Sequence, residues 1–281
     1  MTMEPHAMPF ALDHIVIAVA DLQAAIADYR ALGLQVLPGG QHPGRTSHNA
    51  LVVFADGAYL ELIAWRAPAP EERWYRTLRD HGEGLVDFAL RAPDTVQALA
   101  DARARGLGTL TGPVDGGRLR PDGAQLRWQT ARHATPDVPF LCGDITPRAL
   151  RVPEGAARVH PNGAEGAAAL TVAVHDLDAT LARYQALLGA QAQAATLASA
   201  GGIRTARLPL GSTLLWLQSP ERAASAPGAA EPPAAQALRE RLASRGEGPC
   251  ALVLRRRADT LPPGTAATLG VALQWLAAEI P

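Results

Sequence analysis

Lysine is absent from all 281 residues, so each of the 26 basic side chains is an arginine. That lack excludes chemistry needing a primary amine on the chain: Schiff-base catalysis, pyridoxal phosphate attachment, and the lysine of a Walker A loop. Across a whole chain, such a bias reads as a GC-rich genome rather than a function. Cysteine is scarce as well. Cys142 and Cys250 lie in apolar, strand-like runs, which reads as two small core residues in a reducing compartment, not a disulfide or metal pair. No apolar run is long enough to span a membrane. The run 15–20, ended by Asp21, is too short for a signal peptide. A net charge of -1 gives no broad basic footprint for nucleic acid or an acidic membrane. There is no His-Glu-x-x-His, no Gly-x-Ser-x-Gly elbow and no nucleotide-binding glycine fingerprint. A soluble, cytoplasmic protein that meets a small-molecule partner, and neither nucleic acid nor membrane, is the expectation.

What the chain does have is repetition. Its fullest unit runs over 12–65 and opens on the strand Leu12-Asp13-His14-Ile15-Val16-Ile17-Ala18-Val19. That strand is apolar on both faces apart from Asp13 and His14, so it reads as central and buried. Asp21 is a helix N-cap, and Leu22, Ile26, Tyr29 and Leu32 share one helical face, with Gly33 as the stop. Gly39, Gly40, Pro43 and Gly44 mark a loop, Asp56-Gly57 a hairpin turn, and Tyr59-Leu60-Glu61-Leu62-Ile63 the closing strand. Period-two alternation puts His14 with Val16, and Glu61 with Tyr59 and Ile63, on one face of each strand.

The order then recurs. A strand over 85–90, a helix capped by Asp94 and stopped by Gly106, a loop over 116–123, and strands over 125–130 and 139–142 form a second unit. Val174-His175-Asp176-Leu177 matches Val19-Ala20-Asp21-Leu22, Tyr184 matches Tyr29, and Gly246-Glu247-Gly248 repeats Gly82-Glu83-Gly84. The fourth unit is truncated. Internal repeats outrank any single motif as evidence, and 281 residues are long for one core. The fold expected is therefore α+β, with tandem paired βαβββ modules forming open barrels. Residues 1–150 hold modules at about 10–65 and 84–143; residues 165–281 hold a degenerate pair at about 166–218 and 246–281. Residues 1–9 read as a loose leader, and the Pro- and Gly-rich stretch 144–166 as the boundary.

Paired βαβββ units with a histidine on the first strand and a glutamate on the last resemble the vicinal oxygen chelate superfamily. That group includes glyoxalase I, extradiol dioxygenases and bleomycin- or fosfomycin-resistance proteins. Over roughly residues 10–180 the chain is most similar to the glyoxalase-like domain family. The likeness rests on Leu12-Asp13-His14, Thr46-Ser47-His48-Asn49-Ala50, Tyr59-Leu60-Glu61-Leu62-Ile63, Arg120-Pro121-Asp122-Gly123 with Leu126-Arg127-Trp128, and His160-Pro161-Asn162-Gly163.

The resemblance implies a divalent metal (Fe, Mn, Zn or Ni) inside the first barrel, on His14, Glu61 and Asp87, with Glu61 catalytic. The counterpart of Glu61 in the second unit falls near Leu141 or Cys142, and in the third on Leu215; Ala169 and Ala251 replace His14 and Asp87. Glyoxalase I supplies four protein ligands, so that activity is not implied. Three readings follow: a metal-dependent lyase, isomerase or dioxygenase on a small oxygenated substrate; a metal-free binding protein that sequesters a small molecule; or a structural or regulatory remnant whose cavity is filled by side chains.

Each residue has an alternative reading from its own chemistry. His14 suits a hydrogen-bonded core as well as a metal. Glu61 needs a buried partner, a metal or His14 itself. Asp87 suits an arginine partner or the barrel mouth. His48 and Asn49 read as substrate contacts or turn residues. Arg120, Arg127 and Trp128 read as contacts for an anionic or aromatic substrate, or as a surface ion pair and a core tryptophan. His42, His133, His160 and His175 read as structural. Whether two chains pair as a homodimer is left open.

Overall fold

The computed structural model describes residues 10–221, 231–257, 260 and 266–277. The proposed leader, 1–9, lies outside them. The first module is β1 (Ala11–Ala18), α1 (Leu22–Ala31), β2 (Leu37–Gln41), β3 (Ser47–Val53) and β4 (Tyr59–Trp65); α2 (Arg73–His81) leads onward. The second is β5 (Gly84–Arg91), α3 (Thr95–Ala104), β6 (Thr111–Leu119), β7 (Gln125–Arg132) and β8 (Phe140–Asp144), followed by the one-turn α4 (Arg148–Arg151). The third is β9 (Ala164–Ala173), α5 (Leu177–Leu188), β10 (Thr196–Ala200), β11 (Ile203–Leu210) and β12 (Thr213–Pro220), with α6 (Pro233–Arg245) after it. The fourth keeps β13 (Gly248–Arg256), β14 (Ala266–Thr268) and β15 (Val271–Ala277).

The repeated sequence signals have repeated structural jobs. Asp21, Asp94 and Asp176 each cap a helix, accepting from backbone N–H groups of the first turn. In the two Gly-Glu-Gly copies, Glu83 accepts from the Ala20 N–H and Glu247 from the His175 N–H, both at 2.8 Å. Each glutamate thereby ties the entry of one module to the first strand of its partner.

The first two modules form an eight-stranded barrel in the order β1-β4-β3-β2-β6-β7-β8-β5, whereas the last two form an open seven-stranded sheet. Closure is thin: the β2–β6 seam consists of one registered pair, Gln41 with Leu119. Gly40 makes it possible. A Cβ there would sit 2.0 Å from the Leu119 carbonyl oxygen, and the residue holds φ +144°, a region essentially reserved for glycine. Gly40→Ala is expected to lose roughly 2 kcal/mol or more of stability, read as a lowered urea midpoint. An unchanged midpoint would mean the seam contributes nothing.

The strand β6 runs through Gly116 and Gly117, where a loop was expected. Their missing side chains explain it: a Cβ on Gly116 would come 2.5 Å from the Trp128 indole nitrogen. The glycines let β6 pass tightly over a bulky cross-strand neighbour.

The outward faces of both sheets share one apolar core, with Ile15, Ile17 and Leu60 of the barrel clustered with Leu170, Val172 and Leu252 of the open sheet. Full burial of each such side chain is worth about 1.5–3 kcal/mol. The stretch read as a boundary also holds structure. His160 donates from Nε2 to the Val53 carbonyl oxygen and accepts at Nδ1 from Gln35 N–H, and the Asn162 amide donates to the Leu32 carbonyl oxygen. No helix of the described residues is long and apolar enough to cross a membrane.

Candidate functional site

Inward-facing residues of the barrel line a cavity of about 560 Å³, enough for a small organic molecule. Its floor is built from β1 and β4, which run parallel with His14 beside Tyr59 and Val16 beside Glu61. Alternation then turns His14, Val16, Tyr59, Glu61 and Ile63 inward, and Ile15, Ile17, Leu60 and Leu62 into the shared core.

His14 is held on all sides. Its ring stacks on Tyr59 at 4.7 Å between centroids, and meets Phe140 edge-on at 5.2 Å. Nδ1 lies 2.8 Å from Asp13 Oδ2. Beneath it, α4 plugs one end of the barrel. Arg151 is 2% exposed and donates to both carboxylate oxygens of Asp13, to Asp144 and to the Tyr59 hydroxyl. Arg148 also pairs with Asp13. Burial alone would raise the Asp13 carboxyl, but Arg151, His14 and Arg148 together hold it well below the ordinary carboxylate range.

With Nδ1 directed at Asp13, His14 presents Nε2 to Glu61 Oε2 across 3.5 Å. The other glutamate oxygen accepts from the Asn49 amide at 2.6 Å, and His42 Nε2 stands 3.7 Å from it. Burial pushes Glu61 up; the nearby His14 and His42, the Asn49 hydrogen bond and Arg118 bring it below the usual range. His42 is pushed down, by burial first. A bare imidazole lone pair facing a carboxylate oxygen is repulsive, and a bound cation between the two would relieve that contact.

The donor set fits the metal as a two-donor site. A separation of 3.5 Å is about what two donors span when each bonds one ion at about 2.0–2.2 Å. The Asp13 contact is the carboxylate–histidine pairing that orients metal-bound imidazoles. Among the described residues no three His, Cys, Asp or Glu side chains are grouped to hold an ion.

Asp87 stands apart from that pair, which corrects its place in the expected ligand set. It is fully buried on β5 and registers with Val16 as Ala89 does with His14, the reciprocal pairing of two equivalent positions. Arg73 and Arg132 pair with it, and the Trp74 indole donates to it at 2.8 Å. All three donate to Oδ2, and Oδ1 accepts from the Phe88 N–H, so both carboxylate oxygens already have partners. The counterpart of Glu61 in the second module is Phe140, since β5 and β8 register Ala89 with Phe140; the expected Leu141 or Cys142 is offset by one or two residues. In the third module it is Trp216, registered with Thr171, not Leu215, which faces the core.

The expected substrate contacts divide. Asn49 and Trp128 line the cavity. Arg127 lies at its rim, 61% exposed and paired with Asp115. Arg120 is turned away, pairing with Asp122 and donating to the Leu150 carbonyl oxygen. His48 alternates with Asn49 on β3 and is absent from the lining. Several cavity residues escaped the sequence reading, His42 and Arg118 among them. His42 follows β2 in a loop, where no ligand spacing marks it, yet sits beside Glu61 and edge-on to Trp128. Arg118 follows the glycines of β6, inside the stretch expected as a loop.

The family model described as "Glyoxalase-like domain" matches residues 12–188. A hypothetical protein from Staphylococcus aureus superposes with a TM-score of 0.68 at 11% identity, covering 96% of this chain and 100% of the other. A mutant 4-hydroxymandelate synthase from Streptomyces coelicolor does so at 0.54 and 14% identity, covering 89% of this chain and 71% of that one. No curated protein matches the sequence.

Proposed function

This chain belongs to the glyoxalase-like domain family of the vicinal oxygen chelate superfamily, and from that premise we propose a metal-dependent enzyme acting on a small oxygenated substrate. The reading is carried by one observation: His14 Nε2 and Glu61 Oε2 face each other at 3.5 Å inside the cavity. Both are acceptors while the His14 Nδ1–H donates to the ionised Asp13 carboxylate. Imidazole with carboxylate suits Mn, Fe, Zn or Ni. Such an ion would supply Lewis acidity toward a carbonyl or a vicinal pair of oxygens.

The chain's own residues do the positioning. Asp13, fixed by Arg151, sets the His14 tautomer and ring angle. Asn49 ties down one oxygen of Glu61 and leaves the other to the cavity. Glu61 is the group placed to accept a substrate proton, because the surrounding charges keep it ionised. Phe140, Trp74 and Trp128 wall the cavity with aromatic surface and limit the water that reaches it.

A second reading has its own support. An imidazolium at His14 would satisfy Asp13 and Glu61 together with no metal, leaving a binding protein that sequesters a small molecule. Metal analysis of protein purified without chelator, in wild type and His14→Ala, separates the two. Near-stoichiometric divalent metal in wild type, lost in the variant, supports the enzyme. No metal after loading with Mn, Fe, Zn or Ni sinks it and leaves the binder.

A further inference from the structure

We propose that Arg118 is an anion-binding residue and that the molecule taken up by the cavity is a small carboxylate with a flat, apolar body. The inference rests on the cavity being the substrate site, as above. It does not depend on a metal.

Arg118 is only 3% exposed, yet lines the cavity. Among the described residues its one hydrogen bond runs from Nη2 to the Arg151 carbonyl oxygen, and its buried Nε has no partner. No carboxylate of the described residues lies within ion-pair distance of it. The other inward arginines are compensated. Arg151 is clasped by Asp13 and Asp144, and Arg73 and Arg132 share Asp87. An unpaired buried guanidinium is costly, and a planar fork with free donors matches a carboxylate in two-point contact.

The balance of charge around the cavity points the same way. The other charges at the cavity pair off, Arg45 with Glu72, Arg127 with Asp115, and Arg148 and Arg151 with Asp13 and Asp144; Arg118, with Arg132 and its neighbour Arg73, is then set against Glu61 and Asp87, which leaves one positive charge over for a ligand. Trp128, half-buried in the cavity wall, supplies aromatic surface for the apolar body.

Titration calorimetry with benzoate and its neutral counterpart benzamide tests this on the full-length chain. Wild type is expected to bind benzoate about tenfold or more tightly than benzamide, the discrimination of a charge-assisted contact. Arg118→Met should abolish that preference, and Arg118→Lys should keep part of it, since the charge remains but the fork is lost. The Met variant should melt at or above the wild-type temperature, because the uncompensated charge is gone. The preference should also survive dialysis against chelator, which separates this inference from the metal reading. Equal binding of the two ligands by wild type, binding of neither, or an undiminished preference in Arg118→Met each overturns it. A lowered melting point in Arg118→Met with the preference intact assigns Arg118 to the scaffold.

Discussion

Replacing Asp13 with alanine is expected to lower folding stability by about 3–5 kcal/mol, because it leaves buried positive charge without its counterion. Asp13 is fully buried and is the acceptor on which Arg148, Arg151 and the His14 ring converge. Asp144 alone would then face two guanidiniums. The same pairing gives a pH signature. Folding holds the Asp13 carboxyl well below its ordinary range, so the unfolded chain takes up the proton first as the solution is acidified. The contribution is therefore complete above about pH 4 and is lost progressively below it. Urea unfolding at neutral pH and at pH 3 checks both statements. A loss under about 1 kcal/mol in Asp13→Ala would mean that the network behaves like a surface ion pair.

Exchange of Glu61 for glutamine should leave the fold standing and remove the site's chemistry. Glutamine keeps the volume and a carbonyl oxygen for the Asn49 amide, but not the charge facing His14. Orienting partners outside the ligand shell already cost 10–100-fold in metal affinity when removed. A direct ligand should cost at least about 100-fold, measured by competition with a fluorescent chelator. Metal uptake unchanged in Glu61→Gln would sink the metal role of this residue. Paired with His14→Ala, the result also shows whether both donors act on one ion, since the double variant should then be little worse than either single one.

The parts of the site visible in the sequence were those set by short-range rules. Strand alternation alone put His14 and Glu61 on the same kind of face, and β1 and β4 lie side by side with those faces inward. The parity rule failed where alignment slipped by a residue, at Leu215 against Trp216, because one step along a strand exchanges core for cavity. Arg120 takes the second of its two sequence readings, a surface ion pair with Asp122, and a turn beside a strand carries no periodicity to decide between them. His42 was set aside for the same reason.

By itself, the sequence determined the modules, their helix caps, the recurrence of Gly-Glu-Gly and the two polar groups, His14 and Glu61, on the first module's outer strands. Each depends on residues a few positions apart, or on copies of one pattern. Only the tertiary structure decided that Asp87 belongs to arginines from α2 and β7, that Arg151 plugs the barrel from a stretch without periodicity, and that Arg118 stands unpaired. Those outcomes depend on which charges meet across 14, 45 or 138 residues of chain. A buried carboxylate announces that it needs a partner, but only the closed barrel says which one it has.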